Sequence, residues 1–178
     1  MRHAFEDKAA VIWLTGLSGS GKTTIADRLA AELERRGCEV EKLDGDSVRE
    51  VFPTGFSREE RHQHVRRMGF MAGLLNKHGV FVVASFISPY RESRDFARSH
   101  ARRFFEVHVS TPLAECERRD VKGLYARARR GEIKAFTGIS DPYETPLCPE
   151  LTLDTVVLPV EESVKRILAA VLGQDRKA

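Results

Sequence analysis

Gly16-Leu17-Ser18-Gly19-Ser20-Gly21-Lys22-Thr23 fits the pattern G-x-x-x-x-G-K-[ST] of a phosphate-binding loop. Its flanks fit as well. Val11-Ile12-Trp13-Leu14 is a short apolar run that reads as a strand, and Ile25, Leu29 and Leu33 then recur at helical spacing. In the order strand, loop, helix, the glycines let the backbone wrap closely enough for successive N–H groups and the positive helix end to face phosphate oxygens. Lys22 adds a cation for the terminal phosphates, and the Thr23 hydroxyl is placed to ligate Mg²⁺. The stretch predicts a nucleoside-triphosphate site.

The 178 residues suit one domain with a sizeable core, taken as residues 1–178. Hydrophobic residues at 42% and charged residues at 31% are ordinary for a globular chain. No apolar run is long enough to span a bilayer, and the first residues lack the apolar segment of a secretory signal, so no membrane association is expected. Cys38, Cys116 and Cys148 are far apart and odd in number, which points to reduced thiols and a cytoplasmic setting. The net charge of +3 suits a polyanionic small molecule as well as nucleic acid, and no further feature points to nucleic acid.

Outward from the loop, strand and helix patterns alternate, as in a parallel sheet covered by helices. Gly37 caps the first helix, and Glu39–Leu43 predicts a second strand running into Asp44-Gly45-Asp46. Ser57-Arg58-Glu59-Glu60 has the form of a capping box for a helix with Val65, Met68, Ala72 and Leu75 on one face, ended by Gly79. Val80–Ala84 predicts a buried central strand, Pro89 the first turn of another helix, and Phe104–Val109 a further strand. Thr111-Pro112 opens a short helix through Cys116. Thr155–Leu158 predicts the last strand, and Val164, Ile167, Leu168, Val171 and Leu172 a closing helix followed by a frayed end over 174–178. Residues 122–138 break the pattern. Lys122, Arg127, Arg129, Arg130 and Lys134 alternate with Gly123, Gly131 and Gly138, which predicts either a mobile lid over anionic substrates or a solvated helix face.

The buried strand 80–84 runs into Ser85-Phe86 with no acid, so the carboxylates have to come from Asp44-Gly45-Asp46. Asp46 is the candidate to orient an acceptor hydroxyl and take its proton, to ligate metal, or both; a plain Asp-Gly turn is the alternative. Arg49 and Arg61 are candidates to grip an anionic acceptor. Phe56 and Phe136 suit either base stacking or core filling. Ser88 is the one serine at a strand end that looks exposed, with no base beside it, and phosphoryl transfer needs no covalent serine. No histidine and cysteine spacing indicates zinc.

With these residues in hand, the chain resembles the adenylylsulfate kinase family from about Val11 to the closing helix. The resemblance rests on Gly16–Thr24, Leu43-Asp44-Gly45-Asp46, Gly55-Phe56-Ser57, Ser85-Phe86-Ile87-Ser88-Pro89-Tyr90, Lys122-Gly123-Leu124-Tyr125 and Phe136-Thr137-Gly138-Ile139. It implies a three-layer α/β fold of the P-loop nucleoside-kinase type, with a central parallel sheet and a basic lid over about 122–138. It also implies a homodimer that transfers the γ-phosphate of ATP, with Mg²⁺, to the ribose 3′-hydroxyl of adenosine 5′-phosphosulfate (APS). Carried over by position, it implies that Gly16, Leu17, Ser18, Gly19, Ser20, Gly21, Lys22, Thr23 and Thr24 bind ATP, with Arg119 near its base. Asp46 is then the acid at the acceptor hydroxyl, Arg49 and Arg61 hold the phosphosulfate, and Phe56 and Phe136 enclose the adenine. Ile87, Ser88, Lys122, Leu124 and Gly138 belong to the same acceptor site, and Ser88 matches the serine labelled a phosphoenzyme intermediate in the family.

Three departures lie on the acceptor side. Ser47 stands where the family usually has asparagine, His64 stands where an asparagine commonly helps hold the acceptor, and Val51–Thr54 is a shortened lead-in to Gly55-Phe56. They leave two other readings: a kinase of the same fold acting on another nucleotide, such as a cytidine-containing one, or a nucleotide sensor without turnover.

Overall fold

The computed structural model describes residues 7–173; the predicted frayed end lies outside the described residues. Five parallel strands, β1 (Val11–Thr15), β2 (Val40–Asp44), β3 (Phe81–Ser85), β4 (Phe104–Val109) and β5 (Leu151–Leu153), form one sheet in the order β2-β3-β1-β4-β5. β1 and β3 are buried along their whole length, as strands with helices on both faces must be.

Alternation along β1 divides the core. Ile12 and Leu14 face α1 (Lys22–Arg35) and α7 (Val160–Gly173), meeting Ile25, Leu29, Ile167 and Val171. Val11 and Trp13 face the opposite layer, where α3 (Arg58–Lys77) brings Val65, Met68 and Ala72, and α4 (Arg91–His100) brings Ala97. α3 and α4 pack closely because Gly69 and Gly73 have no side chains: a Cβ on Gly69 would sit 2.5 Å from the Ala97 Cβ. The capping box at Ser57 is present, with Ser57 and Glu60 each bonding the other's backbone N–H.

Three expectations are corrected. The last strand is Leu151–Leu153, not Thr155–Leu158. The Asp154 carboxylate accepts the Val156 N–H at 2.8 Å, and the Leu158 N–H bonds the Asp154 carbonyl, so this apolar stretch is a turn with Val156 and Val157 exposed. Pro89 precedes the helix instead of opening it, since Tyr90 is the N-cap of α4. The plain Asp-Gly turn offered as the alternative at Asp44-Gly45-Asp46 is a helix start instead: Asp44 caps α2 (Gly45–Val51) by accepting the Asp46 N–H at 3.0 Å.

Candidate active site

A cleft of about 790 Å³ lies at the C-terminal ends of β1, β2 and β3, where an open parallel sheet places its ligands. The loop after β1 forms its floor. Lys22 is buried and donates to the Leu17 carbonyl at 2.6 Å and to Ser20 Oγ at 3.3 Å, which holds its ammonium inside the loop. Burial pushes the Lys22 ammonium down to about 8, against the pull of Asp44 and Asp46. Ser18, Gly19, Gly21, Thr23 and Thr24 line the cleft. Gly16, Leu17 and Ser20 do not line it and support the loop from behind. A Cβ on Gly16 would come within 2.4 Å of the Val109 carbonyl oxygen, and Leu17 packs on a cluster around Cys116.

Asp44 is the residue that sequence reasoning passed over. Its carboxylate accepts the Thr23 hydroxyl at 3.0 Å, with Ser85 Oγ 3.5 Å from the same hydroxyl. Strand pairing explains this: Asp44 at the end of β2 is the direct neighbour of Ser85 at the end of β3, so β2 supplies the acid that β3 lacks. Asp46, expected at the acceptor hydroxyl, at the metal or at both, lies two residues further along, largely exposed, and its carboxylate pairs with Lys122.

The other side of the cleft draws on five separate segments. α2 contributes Asp46 and Arg49, whose guanidinium donates to the Thr54 and Gly55 carbonyls and lies 4.7 Å from the Phe56 ring centre. Phe56 is exposed, and Phe136 is buried edge-on against Tyr125 at 5.0 Å; both line the cleft. Arg61 is buried and already engaged: it donates to Thr137 Oγ1 and Asp141 Oδ2, both at 2.8 Å, and to the Ala135 carbonyl. It therefore latches the base of the lid to α3, which its position in a charge-rich helix did not reveal. Tyr90 donates to the same Asp141 carboxylate at 2.8 Å.

Ser88 is not exposed as expected. It lies 2% accessible in left-handed backbone, with Oγ accepting the Trp13 indole N–H at 3.0 Å and donating to Thr15 Oγ1 at 2.9 Å. That buried chain and the absence of a base partner argue against a nucleophile. The Ile87 carbonyl accepts the Thr15 hydroxyl at 2.8 Å, and Arg94 donates to the Ser88 carbonyl at 2.6 Å, which fixes this wall.

The stretch 122–138 is better anchored than its composition suggested. α6 (Leu124–Arg129) buries Tyr125 and Ala128 beside Phe136 and Cys116, and the Tyr125 hydroxyl donates to the Ser18 carbonyl of the phosphate loop. Arg127 and Arg130 pair with Glu132, and Arg129 with Glu117, so the basic residues are largely neutralised locally. Lys122, Leu124 and Lys134 line the cleft; Gly138 does not, since it packs behind Leu17 and Leu113. Arg119 lines it too, held by Thr155 Oγ1 at 2.8 Å and by Glu115.

A phosphate loop and a carboxylate lining one cleft, beside a basic flap, define a P-loop phosphotransferase. The comparisons narrow this class. The family described as Adenylylsulphate kinase matches residues 8–154. The chain is 52% identical over 165 residues to the adenylyl-sulfate kinase of Picosynechococcus sp., covering 92% of this chain and 93% of that one. It is 55% identical over 162 residues to the adenylyl-sulfate kinase of Chloroflexus aurantiacus, covering 90% and 87%. Among solved structures it resembles the Mycobacterium tuberculosis APS kinase CysC in complex with AMPPNP and APS, with a TM-score of 0.88 at 40% identity over 93% of this chain and 98% of that one. The chain belongs to the adenylyl-sulfate kinase family.

Proposed function

We propose that this protein uses ATP to phosphorylate the ribose 3′-hydroxyl of APS, giving 3′-phosphoadenylylsulfate and ADP. The observation that carries the reading is a single cleft lined by both the phosphate loop and Asp46, in a chain of this family.

The loop's N–H groups and Lys22 hold the triphosphate and meet the charge that develops on the transferring group. Asp46 accepts the proton of the acceptor hydroxyl as that oxygen bonds to the γ-phosphorus. The bond from the γ-phosphorus to the β,γ-bridging oxygen breaks, and ADP leaves with the electron pair. Asp46 is free to do this once Lys122 moves off its carboxylate, and the anionic end of the acceptor offers Lys122 another partner. Phe56 and Phe136 provide aromatic faces for the adenine, and Arg49 a guanidinium for the phosphosulfate.

The oxygen-only donor set of the Thr23 hydroxyl and Asp44 carboxylate beside the loop fits Mg²⁺, which keeps most of its ligands as phosphate oxygen and water. Thr23 would hold it directly and Asp44 through that hydroxyl or water, and the ion would neutralise charge on the β- and γ-phosphates.

Incubation of the purified protein with ATP, Mg²⁺ and APS, with product identification by mass spectrometry, tests the assignment. The expected product is APS plus one phosphate on the 3′-oxygen. Brisk phosphorylation of a cytidine-containing nucleotide with none of APS, or ATP binding without turnover, overturns it. The proposed assembly is a homodimer, checked by light scattering. No described helix is long and apolar enough to cross a membrane, and free, buried Cys38 and Cys116 support a reducing compartment, the cytoplasm.

A further inference from the structure

Thr15 ends β1 one residue before the phosphate loop begins at Gly16, and its side chain is fully buried. The single proton of its hydroxyl is donated to the Ile87 carbonyl at 2.8 Å. Two lone pairs remain, and both are taken: Ser88 Oγ donates to one and the Tyr143 hydroxyl to the other, each at 2.9 Å. Ser88 Oγ in turn accepts the Trp13 indole N–H at 3.0 Å. One hydroxyl with no bonding capacity left therefore joins the end of β1, the loop after β3 and the stretch that follows the lid.

The loop after β3 needs such a hold. Ser88 has a φ of 41°, a left-handed conformation that a residue with a side chain keeps only when its surroundings impose it. The other acceptor near its hydroxyl, the Phe86 carbonyl, is 3.4 Å away and makes a weaker bond. Ile87 and Ser88 line the cleft, whereas Thr15 and Tyr143 do not. The phosphate loop is held by different bonds, from Lys22 to the Leu17 carbonyl and Ser20 Oγ and from the Ser20 N–H to the same carbonyl.

We propose that Thr15 is a positioning residue for the acceptor, whose buried hydroxyl holds Ile87 and Ser88 in the strained wall against which the acceptor nucleotide is aligned with the phosphate loop. The inference rests on the acceptor reading above. Thr15 acts through the wall, and because the residue that leads into the loop also carries the wall, the two halves of the cleft share one fixed reference. Without the hydroxyl the Ile87 carbonyl loses this bond and the wall relaxes, so acceptor alignment suffers while the triphosphate cradle stays intact.

Steady-state kinetics and melting curves of three variants test this. Thr15→Val keeps a strand-forming shape and removes the hydroxyl. Its kcat/KM for APS falls about tenfold or more, while the KM for ATP and the affinity for a non-hydrolysable ATP analogue stay within about twofold. Thr15→Ser, which restores the hydroxyl, recovers most of the loss. Tyr143→Phe removes a partner of the same hydroxyl but neither bond to the wall, so it keeps kcat/KM for APS within about twofold even where its melting temperature falls. Unchanged kcat/KM for APS in Thr15→Val, an equal rise in its KM for ATP, no recovery in Thr15→Ser, or an equal loss in Tyr143→Phe overturns the proposal. Should Thr15→Val fail to fold, Thr15→Cys decides, because a thiol is a weak donor: kcat/KM for APS falls about threefold or more with the KM for ATP unchanged, and wild-type kinetics overturn the proposal. If wild type turns over a different nucleotide instead of APS, the functional reading fails there, and the same variants are read with that nucleotide; ATP binding without any turnover overturns both.

Discussion

On the triphosphate side of the cleft, Lys22 and Ser20 are buried, Thr23 is bonded to Asp44, and Tyr125 and Arg119 tie the loop's carbonyls to their neighbours. On the acceptor side, Asp46 and Phe56 are exposed, Lys122 reaches from the lid to the Asp46 carboxylate, and His64 has an unpaired nitrogen. The donor half is a finished cradle centred on one continuous segment and braced by Asp44, Arg119 and Tyr125. The acceptor half is assembled from α2, residues 55–56, α3, the loop after β3 and the lid, and several of its groups wait for a ligand. The difference follows from the work each does. A phosphate chain is the same in every nucleoside triphosphate and can be met by fixed backbone geometry, whereas selecting one acceptor calls for side chains whose bonds are completed only by that acceptor.

Substitutions at the two ends of the reaction test this contrast most strongly. Lys22→Ala and Asp46→Ala should each lower kcat on the order of a hundredfold or more. They should separate in calorimetry, with nucleotide affinity falling in Lys22→Ala and holding in Asp46→Ala; near-wild-type turnover in Asp46→Ala would erase the acceptor role. Asp44→Asn should raise the Mg²⁺ concentration for half-maximal rate about tenfold, and Asp46→Asn should leave it nearly unchanged. The reverse order would return the metal role to Asp46.

Phe56→Ala should raise the acceptor KM roughly tenfold through lost stacking, without lowering the melting temperature, because the ring is exposed in the free protein. An equal change in the KM for ATP would show that the two halves are not separate. A smaller effect concerns pH. Burial sets the free Lys22 at about 8, and phosphate favours its charged form, so nucleotide affinity should decline as pH rises past about 8 with proton uptake on binding. In Lys22→Arg, which stays charged, the decline should vanish; titration calorimetry in buffers of different ionisation enthalpy measures both.

The sequence was most legible where function is local. The Gly16–Thr23 loop between strand and helix, the Ser57 capping box and the apolar strands β1 and β3 were read from adjacent residues, and each stands where expected. It was less legible at Thr155–Leu158, where a β-forming composition yields to the turn held by Asp154, and at 122–138, where sparse apolar residues concealed the Tyr125, Ala128 and Phe136 anchor. Asp44 and Asp46 could not be ranked from a shared tripeptide. Their difference arises when Asp44 becomes the helix cap next to Ser85 and Thr23.

What the residues alone determined is the phosphate loop and the helix and strand alternation behind it, because a backbone turn and its hydrogen bonds are specified within one short segment. What only the folded chain decided is which side chains are already committed. Arg61 is held by Asp141, Ser88 by Trp13 and Thr15, and the His64 nitrogen is left unpaired. Those assignments join groups up to 80 residues apart, and such pairing depends on packing between helices and strands that no local pattern encodes.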